Sequence, residues 1–273
     1  MITSLGNRGV KSVVHLRERA KVRREQEAFV TEGIRMFLEA PAERIREVYL
    51  SESFSRCMDS PARPESDGYL ADVKKKLTKV SYETVTDEVF KKMADTVTPQ
   101  GILCVMKMYH HSLEDMMQGE KPLLLLLEDI QDPGNLGTMI RTGEGAGVSG
   151  VIMSKDTVDI YNPKTIRSTM GSVYRVPFVY VEDLAQSIAA LRQKGIRVYA
   201  AHLKGKLWYD EADYAQPSAF LVGNEGNGLT DRIADCADAY IKIPMEGQVE
   251  SLNAGVASSI LLYEASRQRR KVK

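Results

Sequence analysis

Side chains able to do chemistry collect in three short segments of the chain, each mixed with glycines or other small residues. The segments are NLGTMIR at residues 135–141, VGNEGNG at residues 222–228, and IPMEGQVESLNAGVASSILLYE at residues 243–264. Asn135 ends the turn DPGN and, taken alone, is most simply a helix cap. Arg141, six residues further on, is most simply a surface charge. A guanidinium stays protonated at neutral pH and binds phosphate, so Arg141 is also a candidate anion ligand.

The second segment follows the apolar run AFLV and contains no bulky side chain. Three glycines let a backbone approach a ligand closely, although a plain loop would explain them equally. Glu225 is its charged residue. It either holds the loop in shape or faces the guanidinium of Arg141, and both interpretations remain open.

The third segment ends a predicted strand at Ile243, turns through residues 244–250, and opens a long helix at about Leu252. Ser251 is well placed to cap that helix. Small residues follow it, so the first turns can approach another backbone or a partner helix closely; a tightly packed core helix would explain them as well. These residues are Ala254, Gly255, Ala257, Ser258 and Ser259.

From residue 122 onward the pattern alternates between strands and helices. Strands are predicted at residues 123–130, 150–153, 176–181, 197–201, 219–222 and 239–243. Helices are predicted from about residue 136 and at residues 162–170, 184–194, 230–234 and 252–270. This alternation predicts an α/β fold with a mostly parallel sheet, in which ligands bind beyond the carboxyl ends of the strands.

The first hundred residues are a mixture of helix and strand. Helical periodicity covers residues 10–40, strands are predicted at residues 46–50 and 101–108, and residues 55–68 are rich in Pro, Ser and Arg, as in a surface loop. Polar residues 109–121 form a linker or a connecting helix. We therefore expect a small α/β domain over residues 1–108, a linker over 109–121 and a larger domain over 122–273.

Positive charge is concentrated in two places in a chain whose 37 Lys and Arg balance its 37 Asp and Glu. Residues 8–24 contain seven basic side chains against the single acid Glu18, and residues 267–273 contain five with no acid. Such clusters suit a polyanionic ligand. A solvated helix face and a frayed chain end are the alternatives.

The remaining composition excludes several classes of protein. The three cysteines are far apart and form no CxxC pair, which favours neither a disulfide framework nor a zinc site, and we expect no metal. The apolar runs are too short to cross a bilayer and the first residues contain no apolar signal core, so we expect a cytoplasmic protein. His202 follows a strand end, but lone histidines are usually structural, and we leave it outside the site.

The glycines Gly145, Gly147 and Gly150 match the dinucleotide fingerprint GxGxxG, but in the wrong context. A Rossmann fingerprint follows a strand and opens a helix, whereas these glycines end a predicted helix and precede a strand. We interpret them as a helix stop and a turn, which counts against a nicotinamide dehydrogenase.

Together, the residues, order and spacing of the three segments resemble the motifs of the SpoU/TrmH branch of the SPOUT RNA methyltransferases. The resemblance covers roughly residues 122–273. It implies transfer of a methyl group from S-adenosylmethionine to a ribose 2′-hydroxyl, and a SPOUT domain with a trefoil knot. The family also implies a homodimer formed through the C-terminal domain.

The resemblance also implies roles for individual residues. Arg141 matches the arginine that activates the ribose hydroxyl; whether it takes the proton or only positions the hydroxyl and a neighbouring phosphate stays open. The implied catalytic group is Asn135, Arg141, Glu225, Ser251 and Asn253. The implied cofactor contacts are Leu221, Gly223, Gly226, Ile243, Met245 and Leu252.

The N-terminal region is similar to the family's small ribosomal-protein-like substrate-binding domain. Arg17, Lys21 and Arg24, at spacing that would share a helix face, and Arg167, between the first two motifs, are the expected RNA contacts. We expect a 2′-O-methyltransferase acting on structured RNA, with ribosomal RNA favoured over tRNA. A non-catalytic RNA-binding or assembly factor of the same fold is the alternative from another class.

Overall fold

A computed structural model describes residues 1–59 and 68–271, which divide into two compact units. The first comprises Met1–Tyr109 and Tyr161–Tyr174, and the second comprises His110–Ile160 and Arg175–Lys273. The segment Tyr161–Tyr174 thus packs with the first unit, although it lies within the sequence region expected to form the larger domain.

The helices and strands follow in chain order. The helices are α1 Arg8–Glu18, α2 Ala20–Gln26, α3 Ile34–Glu39, α4 Glu52–Asp59, α5 Gly68–Leu77, α6 Asp87–Met93, α7 Leu113–Met116, α8 Pro133–Ala146, α9 Pro163–Thr169, α10 Leu184–Gln193, α11 Asp231–Ala234 and α12 Ala254–Lys271. The strands are β1 Ala28–Glu32, β2 Ile45–Ser51, β3 Glu83–Val85, β4 Ile102–Lys107, β5 Leu123–Leu127, β6 Gly150–Ser154, β7 Phe178–Val181, β8 Arg197–Ala201, β9 Leu207–Trp208, β10 Ser218–Val222 and β11 Ala239–Lys242.

The first unit is built on a mixed sheet in the order β1-β4-β2-β3. The helical prediction for residues 10–40 is wrong in its middle. Arg19 is extended between α1 and α2, and Glu27 adopts a left-handed conformation that ends α2. The following AFVTE, rich in strand-forming residues, pairs with β4 as β1 instead.

The second unit is built on a parallel sheet in the order β7-β6-β5-β10-β8-β11-β9, which confirms the predicted architecture. The five leucines of β5 are fully buried, as expected for a strand covered on both faces. Ile188 and Leu191 of α10 and Ile233 of α11 belong to one core cluster with Leu124 and Leu126.

Neighbouring strands bring distant parts of the second unit together. β5, β10, β8 and β11 are adjacent and parallel, so their carboxyl ends share one edge of the sheet. The three motifs follow β5, β10 and β11. The sheet therefore assembles at one edge what the sequence separates by more than a hundred residues.

Glycines 145, 147 and 150 behave as predicted. α8 ends at Ala146, Gly147 caps it in a left-handed conformation with φ of 84°, and Gly150 begins β6. The N–H of Val148 returns to the carbonyl of Gly143 at 2.9 Å, closing the helix end.

Other segments differ from the prediction. Residues 55–59, expected in a loop, form the end of α4, while residues 60–67 of that loop lie outside the described residues. The short strands β3 and β9 were not predicted. Among the described residues, no helix has the length and apolar content needed to cross a membrane.

Candidate active site

The first motif forms the start of α8 directly after β5. Asp132, not Asn135, caps the helix: its carboxylate accepts the N–H of Asn135 at 2.8 Å, and Pro133 occupies the first turn. The helix thus begins three residues earlier than predicted, because proline suits a first turn that needs no N–H donor. Asn135 therefore lies in the first turn of the helix, and its side-chain amide can contact other segments of the chain.

The glycine loop after β10 is closed by its own backbone and by Asn224. Backbone hydrogen bonds join Asn224 and Gly228 in both directions, at 3.1 and 2.9 Å. The Asn224 Oδ1 atom accepts the N–H groups of Gly226 and Asn227 at 2.8 and 3.1 Å. A Cβ atom on Gly223 would lie 2.3 Å from the carbonyl carbon of Gly228, so the loop requires glycine there.

The third motif forms the start of α12, which begins two residues later than predicted. Asn253, not Ser251, is the cap: its Oδ1 accepts the N–H groups of Gly255 and Val256 at 2.9 and 3.3 Å. Ser251 lies exposed before the cap. Gly255 is buried, and a Cβ there would lie 3.2 Å from the Oδ1 atom of Asn253 and 3.6 Å from that of Asn135, so a side chain at this position would crowd the cap of α12.

A continuous chain of hydrogen bonds joins the three motifs. The Glu225 carboxylate accepts the side-chain amide of Asn135 at 2.9 Å. The Asn135 Oδ1 atom in turn accepts the amide of Asn253 at 2.9 Å. Glu225 also accepts the backbone N–H groups of Gln131 and Asp132, each at 3.0 Å. We call Glu225, Asn135 and Asn253 the amide relay.

These contacts set the charge state of Glu225. Partial burial raises the pKa of Glu225, but the hydrogen bonds from Asn135, Gln131 and Asp132 outweigh it and lower the pKa below its usual value. The group is therefore a carboxylate at neutral pH. The sequence left two roles open for Glu225. Its hydrogen bonds run to the backbone before the first motif and to Asn135, which is the arrangement of a group that holds the loop in shape.

Beside the amide relay lies a cleft of about 730 Å³ at the carboxyl ends of β8, β10 and β11. Most of the expected cofactor contacts line it, together with two of the expected catalytic residues. The expected residues in its wall are Gly223, Glu225, Gly226, Ile243, Met245, Ser251 and Leu252. This volume lies in the range of small-molecule sites.

Two expected site residues lie elsewhere in the second unit. Leu221 is fully buried in the core of the sheet. Arg141 is exposed on α8, outside the cleft wall, and no carboxylate within residues 1–59 and 68–271 forms an ion pair with it. An exposed, unpaired guanidinium is free to bind an external anion.

The four expected RNA contacts lie in the first unit and have different surroundings. Arg17 donates to the carbonyls of Lys92 and Ala94 and pairs with Glu18, leaving 18% of its side chain exposed. Arg167 pairs with Asp95. These two arginines are thus engaged within the unit.

Lys21 and Arg24 are exposed on α2, where Lys21 has 83% of its side chain in solvent. The break at Arg19 removes the helix face that the spacing predicted for Arg17 and Lys21. Lys21 also pairs with Glu25 one turn further on, at 3.8 Å. Of the four expected contacts, Lys21 and Arg24 are the two whose side chains are exposed.

Sequence reasoning did not single out Asp129 or Asn224, which shape the site. Asp129 has a φ of 54°, and its carbonyl accepts the amide of Asn224 at 2.8 Å. Asp and Asn tolerate the left-handed region better than most residues, so the polar turn following β5 was the available signal. The buried Glu128 carboxylate accepts both the N–H and the hydroxyl of Thr230, at 2.8 and 2.6 Å. No sequence pattern predicts this contact.

Comparison with family models gives two matches along the chain. Residues 122–263 match the SpoU rRNA Methylase family, and residues 7–104 match the MRM3-like substrate binding domain. These matches confirm the resemblance drawn from the three motifs and from the N-terminal region.

Named relatives and solved structures agree with these models. The 23S rRNA (guanosine(2553)-2'-O)-methyltransferase RlmP of Bacillus subtilis is 36% identical over 179 residues, covering 66% of this chain and 70% of that protein. The 23S rRNA (guanosine-2'-O-)-methyltransferase RlmB of Shewanella oneidensis is 33% identical, covering 70% and 79%. The crystal structure of an AdoMet-bound rRNA methyltransferase from Sinorhizobium meliloti superposes with a TM-score of 0.81 at 31% identity, covering 97% of each chain.

Proposed function

Because the chain belongs to the SpoU rRNA methylase family, we propose that it is an S-adenosylmethionine-dependent RNA 2′-O-ribose methyltransferase acting on ribosomal RNA. The observation that supports this most directly is the amide relay. It joins residues of all three motifs beside one cleft, so three of the five residues expected to be catalytic are in contact.

The cleft fits the proposed cofactor. Gly223 has no room for a Cβ, so the loop backbone itself forms the wall, and Ile243 and Leu252 supply apolar contacts. Bound S-adenosylmethionine supplies an electrophilic methyl group on a sulfonium. Glu225, ionised at neutral pH and held by three donors, keeps the loop closed around the cleft.

Arg141 has a separate part in this proposal. Its charge suits the phosphate next to the target ribose, and a guanidinium that binds phosphate and hydroxyl together orients the hydroxyl oxygen for in-line attack. Because arginine loses its proton only far above neutral pH, positioning is the role best matched to its chemistry. Ser251, exposed at the cleft, is a second candidate contact to the nucleotide.

The first unit is proposed to bind folded RNA, since it matches a substrate binding domain. Lys21 and Arg24 are the proposed phosphate contacts, whereas Arg17 and Arg167 act through contacts inside the unit. Ribosomal RNA is favoured because RlmP and RlmB, the two relatives described above, are named as 23S rRNA methyltransferases. We propose a cytoplasmic location, which is compatible with such a substrate.

We also infer a homodimer through the second unit. Val256 and Tyr263, seven residues apart on one face of α12, are 47% and 50% exposed, and together they give this face an apolar stripe that a partner helix could cover. Val256→Arg should convert a dimer to a monomer in analytical ultracentrifugation. A monomeric wild-type protein at micromolar concentration contradicts the inference.

The experiment that tests the activity is methyl transfer from labelled S-adenosylmethionine to ribosomal RNA and to tRNA that lack the modification. A 2′-O-methyl group removes the nucleophile by which alkali cleaves RNA, so the label should survive in an alkali-resistant dinucleotide from ribosomal RNA. Label found in tRNA alone would show that the substrate is tRNA and not ribosomal RNA. Cofactor binding without transfer to any ribosomal RNA, including assembly intermediates, would favour a non-catalytic binding factor.

A further inference from the structure

His202 is a polar side chain in the cleft wall that neither the motifs nor the amide relay includes. It follows β8 directly, at the sheet edge shared by the three motifs, and is half-buried. Ligands of open α/β sheets bind at this edge, so the position of His202 alone makes its ring atoms candidates for ligand contact.

The His202 ring is fixed in place by its neighbours. It stacks on Tyr240, with ring centroids 4.9 Å apart and planes 29° from parallel. The Tyr240 hydroxyl donates to Asp235 at 2.5 Å, and this hydrogen bond raises the pKa of Tyr240 to about 12, so the platform stays neutral. Backbone hydrogen bonds also hold His202, its N–H to Ile241 at 2.9 Å and its carbonyl from Gly205 at 2.9 Å.

The hydrogen bonds also define which ring nitrogen carries the proton. Nδ1 of His202 accepts the backbone N–H of Lys204 at 3.1 Å. In a neutral imidazole the other nitrogen, Nε2, must then bear the hydrogen. Nε2 has no hydrogen-bond partner within residues 1–59 and 68–271, so an oriented donor is left for a ligand.

We propose that His202 is a cofactor-binding residue whose Nε2–H donates a hydrogen bond to the adenosyl part of S-adenosylmethionine. This inference rests on the proposed function. The adenosyl part is favoured because Leu203, Ile241 and Ile243 line the same cleft. Charged side chains also line the cleft, but Lys204 and Asp231 pair with each other at 3.4 Å and Glu225 is held in the amide relay. The apolar residues and the Nε2–H donor therefore suit an uncharged purine nucleoside better than an amino-acid group that carries two charges.

The test is the Kd of S-adenosylhomocysteine measured by isothermal titration calorimetry. His202→Phe keeps an aromatic ring against Tyr240 but removes the donor, and should weaken binding about tenfold, the upper range for one neutral hydrogen bond. His202→Gln, which can place an amide N–H near the Nε2 position, should recover part of the loss. The matched control is His15→Phe, an exposed histidine on α1, which should bind as wild type does.

A second probe separates the adenosyl part from the amino-acid part. Methylthioadenosine lacks the amino-acid group, so His202→Phe should weaken it by the same factor as S-adenosylhomocysteine. A loss confined to S-adenosylhomocysteine would overturn the adenosyl assignment. Equal Kd values for wild type and His202→Phe would overturn the inference while leaving the proposed function intact.

Structural damage is recognised separately. The melting temperature of His202→Phe without ligand should match the wild type, and recovery by His202→Gln is not expected from a packing role. If wild-type protein itself fails to bind S-adenosylhomocysteine, the proposed function fails first, and with it this inference.

Discussion

The amide relay of the second unit and the basic cluster of the first differ in how the fold uses their predicted residues. Glu225, Asn135 and Asn253 come from three distant segments and meet in one hydrogen-bonded chain. In the first unit, Arg17 is tied to backbone carbonyls and a carboxylate, while Lys21 lies exposed on a separate helix.

The difference reflects what each sequence signal contains. A glycine without room for a Cβ, a turn proline and a capping side chain each specify a local backbone geometry, and several such geometries at fixed spacing define one site. A count of positive charges specifies no geometry, because an arginine can bind a carbonyl of its own domain as readily as a phosphate.

The largest expected effect concerns Arg141, which belongs neither to the amide relay nor to the basic cluster of the first unit. Arg141→Ala should lower methyl transfer by about 10³-fold, the scale for losing a preorganised charge at the reacting group. The affinity for S-adenosylhomocysteine should stay as in wild type, since Arg141 lies outside the cleft wall. Single-turnover transfer and calorimetry measure the two quantities. Near-normal turnover would remove Arg141 from the proposed mechanism.

Gly223→Ala should weaken cofactor binding by at least about 100-fold, because the added Cβ would meet backbone at 2.3 Å and displace the loop. Gly226→Ala is the matched control: in the same loop, its Cβ would approach only the Asn224 side chain, at an ordinary 3.5 Å. Calorimetry with S-adenosylhomocysteine compares them. Similar affinities for the two variants would contradict the idea that the loop backbone forms the wall.

A double-mutant cycle tests whether the amide relay acts as a unit. Asn135→Ala and Asn253→Ala should each destabilise the protein, and the double variant should depart from additivity by about 0.5 to 3 kcal/mol because the two share a hydrogen bond. Urea unfolding measures the free energies. Additive losses would show that the chain of contacts carries no coupling.

Glu225 adds a dependence on pH. Because its pKa is lowered in the folded protein, the carboxylate stabilises the fold above the ordinary glutamate pKa, and this contribution disappears as pH falls through the lowered value. The free energies of unfolding of wild type and Glu225→Gln should differ by about 0.5 to 1 kcal/mol at pH 7, because solvent screens an exposed carboxylate, and should converge in acid. A difference that does not vary with pH would contradict the assignment.

The smallest effects separate the cations of the first unit. Changing Lys21 and Arg24 together to glutamine should leave stability unchanged and lower the salt slope of RNA binding by about 1.4 to 1.8, the value for two phosphates. Arg17→Gln should instead lower the melting temperature and keep the slope. Filter binding at several salt concentrations measures the salt slope, and thermal unfolding measures the melting temperature. The reverse pattern would show that Arg17, and not Lys21 and Arg24, contacts RNA.

The parallel sheet and the meeting of the motifs were predictable, since apolar strands, glycine turns and order along the chain are local or family signals. The caps were misplaced because Asp132 and Asn253 compete with equally suitable neighbours, and only the final backbone path selects among them. β1 was missed because its apolar residues continue the helical spacing of the residues before it. The left-handed turn at Glu27, which separates the helix from the strand, has no clear sequence signal. The pairing of Glu128 with Thr230 depends on tertiary proximity and leaves no trace in either local sequence.

The hydrogen bond between Asn135 and Asn253 spans 118 residues, and this span has a consequence for biosynthesis. At a translation rate of about 5 to 20 residues per second, Asn253 is made roughly 6 to 24 s after Asn135. During that interval the nascent chain already holds the first unit's sheet-forming residues but cannot complete the relay. On the ribosome, RNA-binding competence would therefore precede catalytic competence, and a growing chain could associate with RNA before it is able to modify it.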